Sequence, residues 1–231
     1  MNRALLALAA LAAAGCDFNV TTGPTEHETR ALEMDKSEMA RIELKMGAGE
    51  LVVDGGSAKL LDADLAYNIP SWKPVFRDDS SSFRREITIS QPPGSNGGSN
   101  VVYRWDLRLN DSVPLDVVAH LGAGKARMNL GETSLRSLEV NMGVGELRLD
   151  LTGHPQRDYS VRLHGGVGQA TVLVPASVGI RATAHGGIGD ISVRGLEQRD
   201  GVWINPAHEQ APVTIHLDVA GGVGQIQIIA Q

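Results

Sequence analysis

Six times the chain sets two glycines around one small or branched apolar residue and then opens an alternating run with a polar side chain. The copies are GAGELVVD from Gly47, GAGKARMN from Gly122, GVGELRLD from Gly143, GVGQATVL from Gly166, GIGDISVR from Gly187 and GVGQIQII from Gly222. Between Gly122 and Gly187 they recur at steps of roughly 21 residues, the length of one supersecondary unit per repeat, and the last step is longer. A unit of that size cannot bury its own apolar face, so the repeat demands neighbours stacked on it.

Side-chain parity says what the glycines do. Leu138, Val140 and Met142 share one face of a strand and Val144 continues it, whereas Leu147, Leu149 and Leu151 hold the opposite parity. A strand alternates strictly, so one extra residue must be absorbed at Gly145-Glu146 by a bulge or corner if both sets are to reach one core. The same slip separates Leu115, Val117, Ala119 and Leu121 from Ala126, Met128 and Leu130, and Ile215, Leu217 and Val219 from Ile226 and Ile228. Glycine takes the backbone angles of such a corner at the lowest cost. The expected structural corners are therefore Gly47 and Gly49, Gly122 and Gly124, Gly143 and Gly145, Gly166 and Gly168, Gly187 and Gly189, and Gly222 and Gly224. Each coil reads strand, corner, strand, turn.

Stacking equivalent strands about 4.8 Å apart gives parallel sheets around a continuous aliphatic core. The predicted fold is all-β, a parallel β-solenoid of stacked coils with Gly-x-Gly corners. Aromatic residues make up only 4% of the 231-residue chain against 42% apolar, so Val, Leu, Ile and Ala must fill that core. A dinucleotide-binding reading of Gly-x-Gly fails, because no third glycine follows at the needed spacing and no helical period follows the turn. The net charge of −6 is spread along the chain in interspersed acids and bases, which argues against a nucleic-acid partner held through phosphates.

The first sixteen residues, MNRALLALAALAAAGC, join one early cation, Arg3, to an apolar stretch and small residues before Cys16, the only cysteine. That is the layout of a cleaved leader. AAGC resembles the lipobox of bacterial lipoproteins, with alanine in place of the leucine most often found three residues before the cysteine. The resemblance implies cleavage before Cys16, lipid on its sulfur and new amino group, a membrane partner reached through that lipid, and a place on the periplasmic or extracellular face of a bacterial envelope. With Cys16 lipidated, no thiol remains for a disulfide or a thiolate metal site. Residues 17–38 are polar without a sustained apolar period and read as a tether. QPPGSNGGSN, residues 91–100, reads as an exposed loop. The expected organisation is a leader over 1–15, a lipidated tether over 16–38, an N-terminal β unit over 39–112 and a repetitive solenoid over 113–231.

The corners, with the stretch MARIELKMGAGELVVDGGSAKLLDADLAYNIPSWKP from Met39, resemble the toast-rack domains related to the LiaF-like and putative-adhesin families. The resemblance implies a β-solenoid-like envelope domain without a catalytic site. Some relatives belong to envelope-stress signalling systems, but this chain lacks their multi-span membrane segment. The expected function is a non-catalytic, lipid-anchored binding, scaffold or sensory module. The alternatives are an accessory regulator of an envelope-stress system and an enzyme acting on envelope glycans, the latter requiring titratable residues clustered across adjacent coils.

Aligning the coils by parity lines up outward columns. Two residues before each motif stand Lys45, His120, Asn141, His164, His185 and Ala220, which puts His164 and His185 on adjacent coils, where two imidazoles could share a metal. A stacked polar ladder is the favoured reading, since two ligands with no carboxylate make a poor site, and no metal or cofactor is expected. A second column, Glu50, Lys125, Glu146, Gln169, Asp190 and Gln225, should pair Lys125 with Glu146. The acidic pairs Asp62/Asp64 and Asp78/Asp79 and the Ser/Lys pairs Ser57/Lys59 and Ser71/Lys73 lack a partner base or nucleophile elbow. Finally, a solenoid needs caps. Residues 68–111 are the candidate at the N-terminal side, while the chain ends on GGVGQIQIIAQ, making the C-terminal strand the expected open edge for another envelope protein or a second copy, unless the insertion at 196–212 covers it with Trp203.

Overall fold

The computed structural model describes residues 22–93 and 100–231. Cys16 and the leader, with most of the loop at 91–100, lie outside the described residues. Thirteen strands follow in chain order: β1 (Glu26–Leu32), β2 (Met39–Ser57), β3 (Leu61–Tyr67), β4 (Val75–Ser80), β5 (Arg84–Ser90), β6 (Tyr103–Asn110), β7 (Leu115–Asn129), β8 (Leu135–Asp150), β9 (Tyr159–Val174), β10 (Gly179–Arg194), β11 (Glu197–Arg199), β12 (Val202–Ile204) and β13 (Thr214–Ala230). The only helices among the described residues are two short 3-10 turns, Pro70–Trp72 and Pro206–Glu209.

Each of the six motifs sits in the middle of one long strand, and these strands, β2, β7, β8, β9, β13 and β10, pair side by side in parallel. Residues 130–134 alone connect β7 to β8. Such a link spans at most about 20 Å, too short to join the ends of two halves set at a right angle, so each long strand folds back at its glycines into two facing layers. The apolar side chains of both halves then enter one core: Leu138, Val140, Leu147 and Leu149 are all buried together, and so are Val117, Ala119, Ala126 and Met128.

The two layers end differently. On the first-half layer, β5 pairs with residues 39–45 of β2 and β4 pairs with β5. On the second-half layer, β6 pairs with residues 50–57 of β2, then β3 with β6 and β1 with β3. Residues 68–111 thus close the β2 end partly with regular strands, and Trp72 and Trp105 are buried there. β1 falls inside the stretch expected to be a tether. Its sequence, EHETRAL, hides a strand because it is an edge strand with mostly exposed side chains and needs no apolar alternation.

The other end corrects the sequence-order stacking. β13 does not close the stack; it lies between β9 and β10, paired with both. The C-terminal strand is therefore not an open edge. The physical reason lies in side-chain size: β13 brings Ile215, Leu217, Val219, Ile226 and Ile228 to the core, whereas β10 offers Ala182 and Ala184 at matching places. Larger aliphatics gain more from the doubly covered slot. The insertion makes the crossing possible. Asn205, buried within it, donates to the carbonyls of Ala176 and Val178 and accepts from the Ile180 amide, holding the link by which β10 steps over the β13 slot.

Candidate binding surface

The corner residues form rows across the coils. Gly49, Gly124, Gly145, Gly168, Gly224 and Gly189 stand in register, and each has a φ between 134° and 148°. At Gly145 a side chain would be doubly opposed, by that φ and by the carbonyl oxygen of Gly124, which occupies the place a Cβ would need. The rows of backbone pack so closely at the corner that side chains are excluded from it.

The residue between the glycines turns outward. Val144, expected to continue the inward parity, is 53% exposed, because the turn absorbs the extra residue on both sides of it. Its row runs Ala48, Ala123, Val144, Val167, Val223, Ile188. The side chains grow along the row, and Ile188 at its end is 74% exposed. An exposed ladder of this kind, absent any packing duty, is the type of apolar surface that marks contact with something else.

The column just before the motifs changes character at mid-stack. In β2, β7 and β8 it is Met46, Leu121 and Met142; in β9, β13 and β10 it is Gly165, Gly221 and Gly186. Met46 and Leu121 are buried and Met142 packs against the core. Where glycine replaces them, a cavity of about 50 Å³ opens, lined by Leu147, Leu163, Ala170, Val219, Ile191 and Ile226. Ile191, on an inward position of β10, is 40% exposed.

Charge follows the same division. Near β2, Arg104 meets Glu50 at 3.1 Å and Lys125 meets Glu146 at 3.2 Å; farther along, the column continues as Gln169 and Gln225 before Asp190. On the facing layer His120 lies 3.8 Å from Glu43. Burial works against the Glu43 carboxylate, but hydrogen bonding and charge from Lys45 hold it below the ordinary range. His164 and His185 are not neighbours. Ala220 of β13 stands between them, so their strands are about 9.6 Å apart, and among the described residues no group of three metal-ligating side chains assembles. Most of the other sequence candidates pair locally: Ser57 donates to Asp62 at 2.7 Å, Lys59 pairs with Glu33 at 2.8 Å, Asp64 with His27 at 3.5 Å, Lys73 with Glu28 at 3.5 Å, and Asp78 holds Arg85 at 2.7 Å.

Over residues 21–173 the sequence matches the family described as the N-terminal domain of toast_rack, DUF2154. The chain belongs to this toast-rack family. Among solved structures, a "putative cell adhesion protein" from Clostridium sporogenes is similar at 29% identity with a TM-score of 0.87, over 90% of this chain and 100% of that one. A "putative adhesin" from Bacteroides fragilis aligns over 88% of this chain and 96% of that one at 11% identity with a TM-score of 0.35. No curated relative matches the chain.

Two features of this toast-rack chain go beyond the expectations from sequence. The glycine column is written there as a doublet, since KMGAG, HLGAG and NMGVG become HGGVG, HGGIG and AGGVG. The partner of the first corner has no such signal: with no coil before β2 on the first-half layer at that level, the side-chain oxygen of Gln91 accepts from the Gly47 and Ala48 amides at 2.7 and 3.2 Å.

Proposed function

We propose that this toast-rack chain is a non-catalytic module of the bacterial envelope, anchored by lipid on Cys16 and presenting the β10 end of its solenoid for binding. The observation that carries the reading is the polarity of the molecule. β1, the first described strand, stands at one end of the second-half layer and β10 at the other, eight strand spacings or about 38 Å apart. The apolar corner ladder reaches its largest and most exposed member, Ile188, at that far end. A module anchored through its N-terminus would hold this surface away from the bilayer. The likeness to a structure described as a "putative cell adhesion protein" supports contact in place of turnover.

The test is made in producing cells. The native chain should incorporate a fatty-acid probe and sediment with membranes, and Cys16→Ala should do neither; a Cys16→Ala chain that still carries the probe would remove the anchor from the account. Ile188→Cys should react with a membrane-impermeant maleimide in cells whose outer barrier has been opened. Protection of that position together with full reactivity at the β1 end would reverse the proposed orientation.

A further inference from the structure

The β10 end contains a slot. β13 covers one side of β10 along most of its length, but on the other side β12 pairs only with Arg181 and Ala182, and β11 lies beyond β12. The first-half layer therefore runs two strands, about 10 Å, past the second-half layer. Under that overhang residues 190–194 have no outer partner strand among the described residues. Ile191 is 40% exposed, Val193 is half-buried, and Trp203 of the overhang packs against the core with part of its surface uncovered.

The outward side chains flanking the slot carry opposite charges. Glu50 and Arg104, and Lys125 and Glu146, satisfy each other within the chain, whereas Asp190 and Arg194 have no ionic partner among the described residues. An open edge strand offers backbone donors and acceptors to an added strand. Residues directly opposite on an antiparallel partner point to the same face. A segment laid against residues 190–194 would then put apolar side chains opposite Ile191 and Val193, beneath Trp203, and polar ones opposite Asp190, Ser192 and Arg194.

We infer that this slot takes one extended polypeptide segment of a partner protein as an added strand, alternating apolar and polar residues, with an acid opposite Arg194 and a base opposite Asp190. The inference rests on the β10 end being the binding surface and names the chemistry of what binds there. A second copy does not fit in this way. Pairing two β10 edges antiparallel would drive each overhanging β11–β12 hairpin into the first-half layer of the other copy, while a single strand has no second layer to collide.

Trp72 and Trp105 are buried, so fluorescence changes on adding a peptide report mainly Trp203. With the purified full chain in detergent, a synthetic peptide built around Glu-Val-Thr-Val-Lys should change the emission saturably, and the change should vanish in Trp203→Phe. Proline in place of the central threonine should abolish binding, since it removes a ladder donor and fixes φ. Asp190→Lys should weaken the Glu…Lys peptide roughly three-fold, as expected for one exposed pair, and should favour a peptide with glutamate at both ends. The inference is overturned by absent saturation or by equal binding of the proline peptide. It is also overturned if Ser192→Cys oxidises to a disulfide-linked dimer beyond the level of the unsubstituted chain; that result would make the occupant a second copy and leave the β10 end standing as a binding surface. Failure of the proposed function shows separately, as loss of the lipid anchor or as a reversed orientation in the maleimide labelling of Ile188→Cys, whatever the peptide does.

Discussion

The β2, β7 and β8 coils and the β9, β13 and β10 coils share one corner geometry and fill it differently. In the first three, Met46, Leu121 and Met142 plug the inside of the corner, the outside carries only Ala48, Ala123 and Val144, and flanking charges pair with each other. In the second three, glycine stands inside the corner, with open space at Gly165 and with Ile226 and Ile191 reaching in beside Gly221 and Gly186; Val167, Val223 and Ile188 stand outside, and Asp190 and Arg194 lack ionic partners among the described residues. Along the stack the side chain plugging the corner is lost while the outward residue grows from alanine to isoleucine. A coil that only had to be stable would do the opposite, because buried aliphatics stabilise and exposed ones do not. The difference marks the first set as scaffold and the second as the part given over to contact.

The largest effect should come from striking the element both halves share. Gly145→Val meets a positive φ and the Gly124 carbonyl in the middle of the stack, and should cost more than about 4 kcal/mol, seen as loss of the cooperative unfolding transition in denaturant. Gly189→Val meets the same obstruction from Gly224, but on the outermost long strand, which can yield locally; its midpoint should fall far less. Equal losses would mean that the two halves are equally rigid. Next in size, Leu121→Ala removes a buried plug and should cost about 2–5 kcal/mol by urea denaturation. Gly165→Ala goes the other way. Its Cβ would meet nothing within 4 Å, so it should stabilise by about 0.4–1 kcal/mol through the unfolded chain. The smallest effect belongs to the N-terminal end, where Asp35 is a third exposed and water screens its partners. Hydrogen bonds from Ser80 and the Ser37 amide, with the charge of Arg85, lower the Asp35 carboxyl from 3.8 to about 2. The folded state holds this proton more weakly than the unfolded one, so the contribution is complete above pH 4 and is lost as pH falls towards 2. Urea midpoints across that window should fall less steeply in Asp35→Asn.

Much of this architecture is legible in the amino-acid sequence. The six Gly-x-Gly motifs and the parity slip around Gly145 carry the parallel stack and its corners, because corner geometry is written in local backbone demands. The order of the last two coils is not legible in the same way, since the motif of β13 reads like that of β10 and only comparison of core volumes, Ile215 and Leu217 against Ala182 and Ala184, separates inner from outer. Two other expectations depend on that order and fall with it, the adjacency of His164 and His185 and the open C-terminal edge. β1 is hidden for a different reason: an edge strand exposed on most of its side chains has no apolar period to read. The candidate surface is half legible. The doubled glycines HGGVG, AGGVG and HGGIG announce the loss of the plugging side chain, but the exposure of Ile188 and the slot under Trp203 depend on where β10 comes to lie.

Amide hydrogen exchange on the full chain, followed by mass spectrometry, tests the division between the two halves most directly, since protection reports the free energy of local opening strand by strand. Peptides covering β7 and β8 should exchange only through global unfolding, those covering β9 and β13 should be intermediate, and residues 183–194 of β10 should exchange fastest among the six long strands. Uniform protection across the stack, or slowest exchange in β10, would contradict the account.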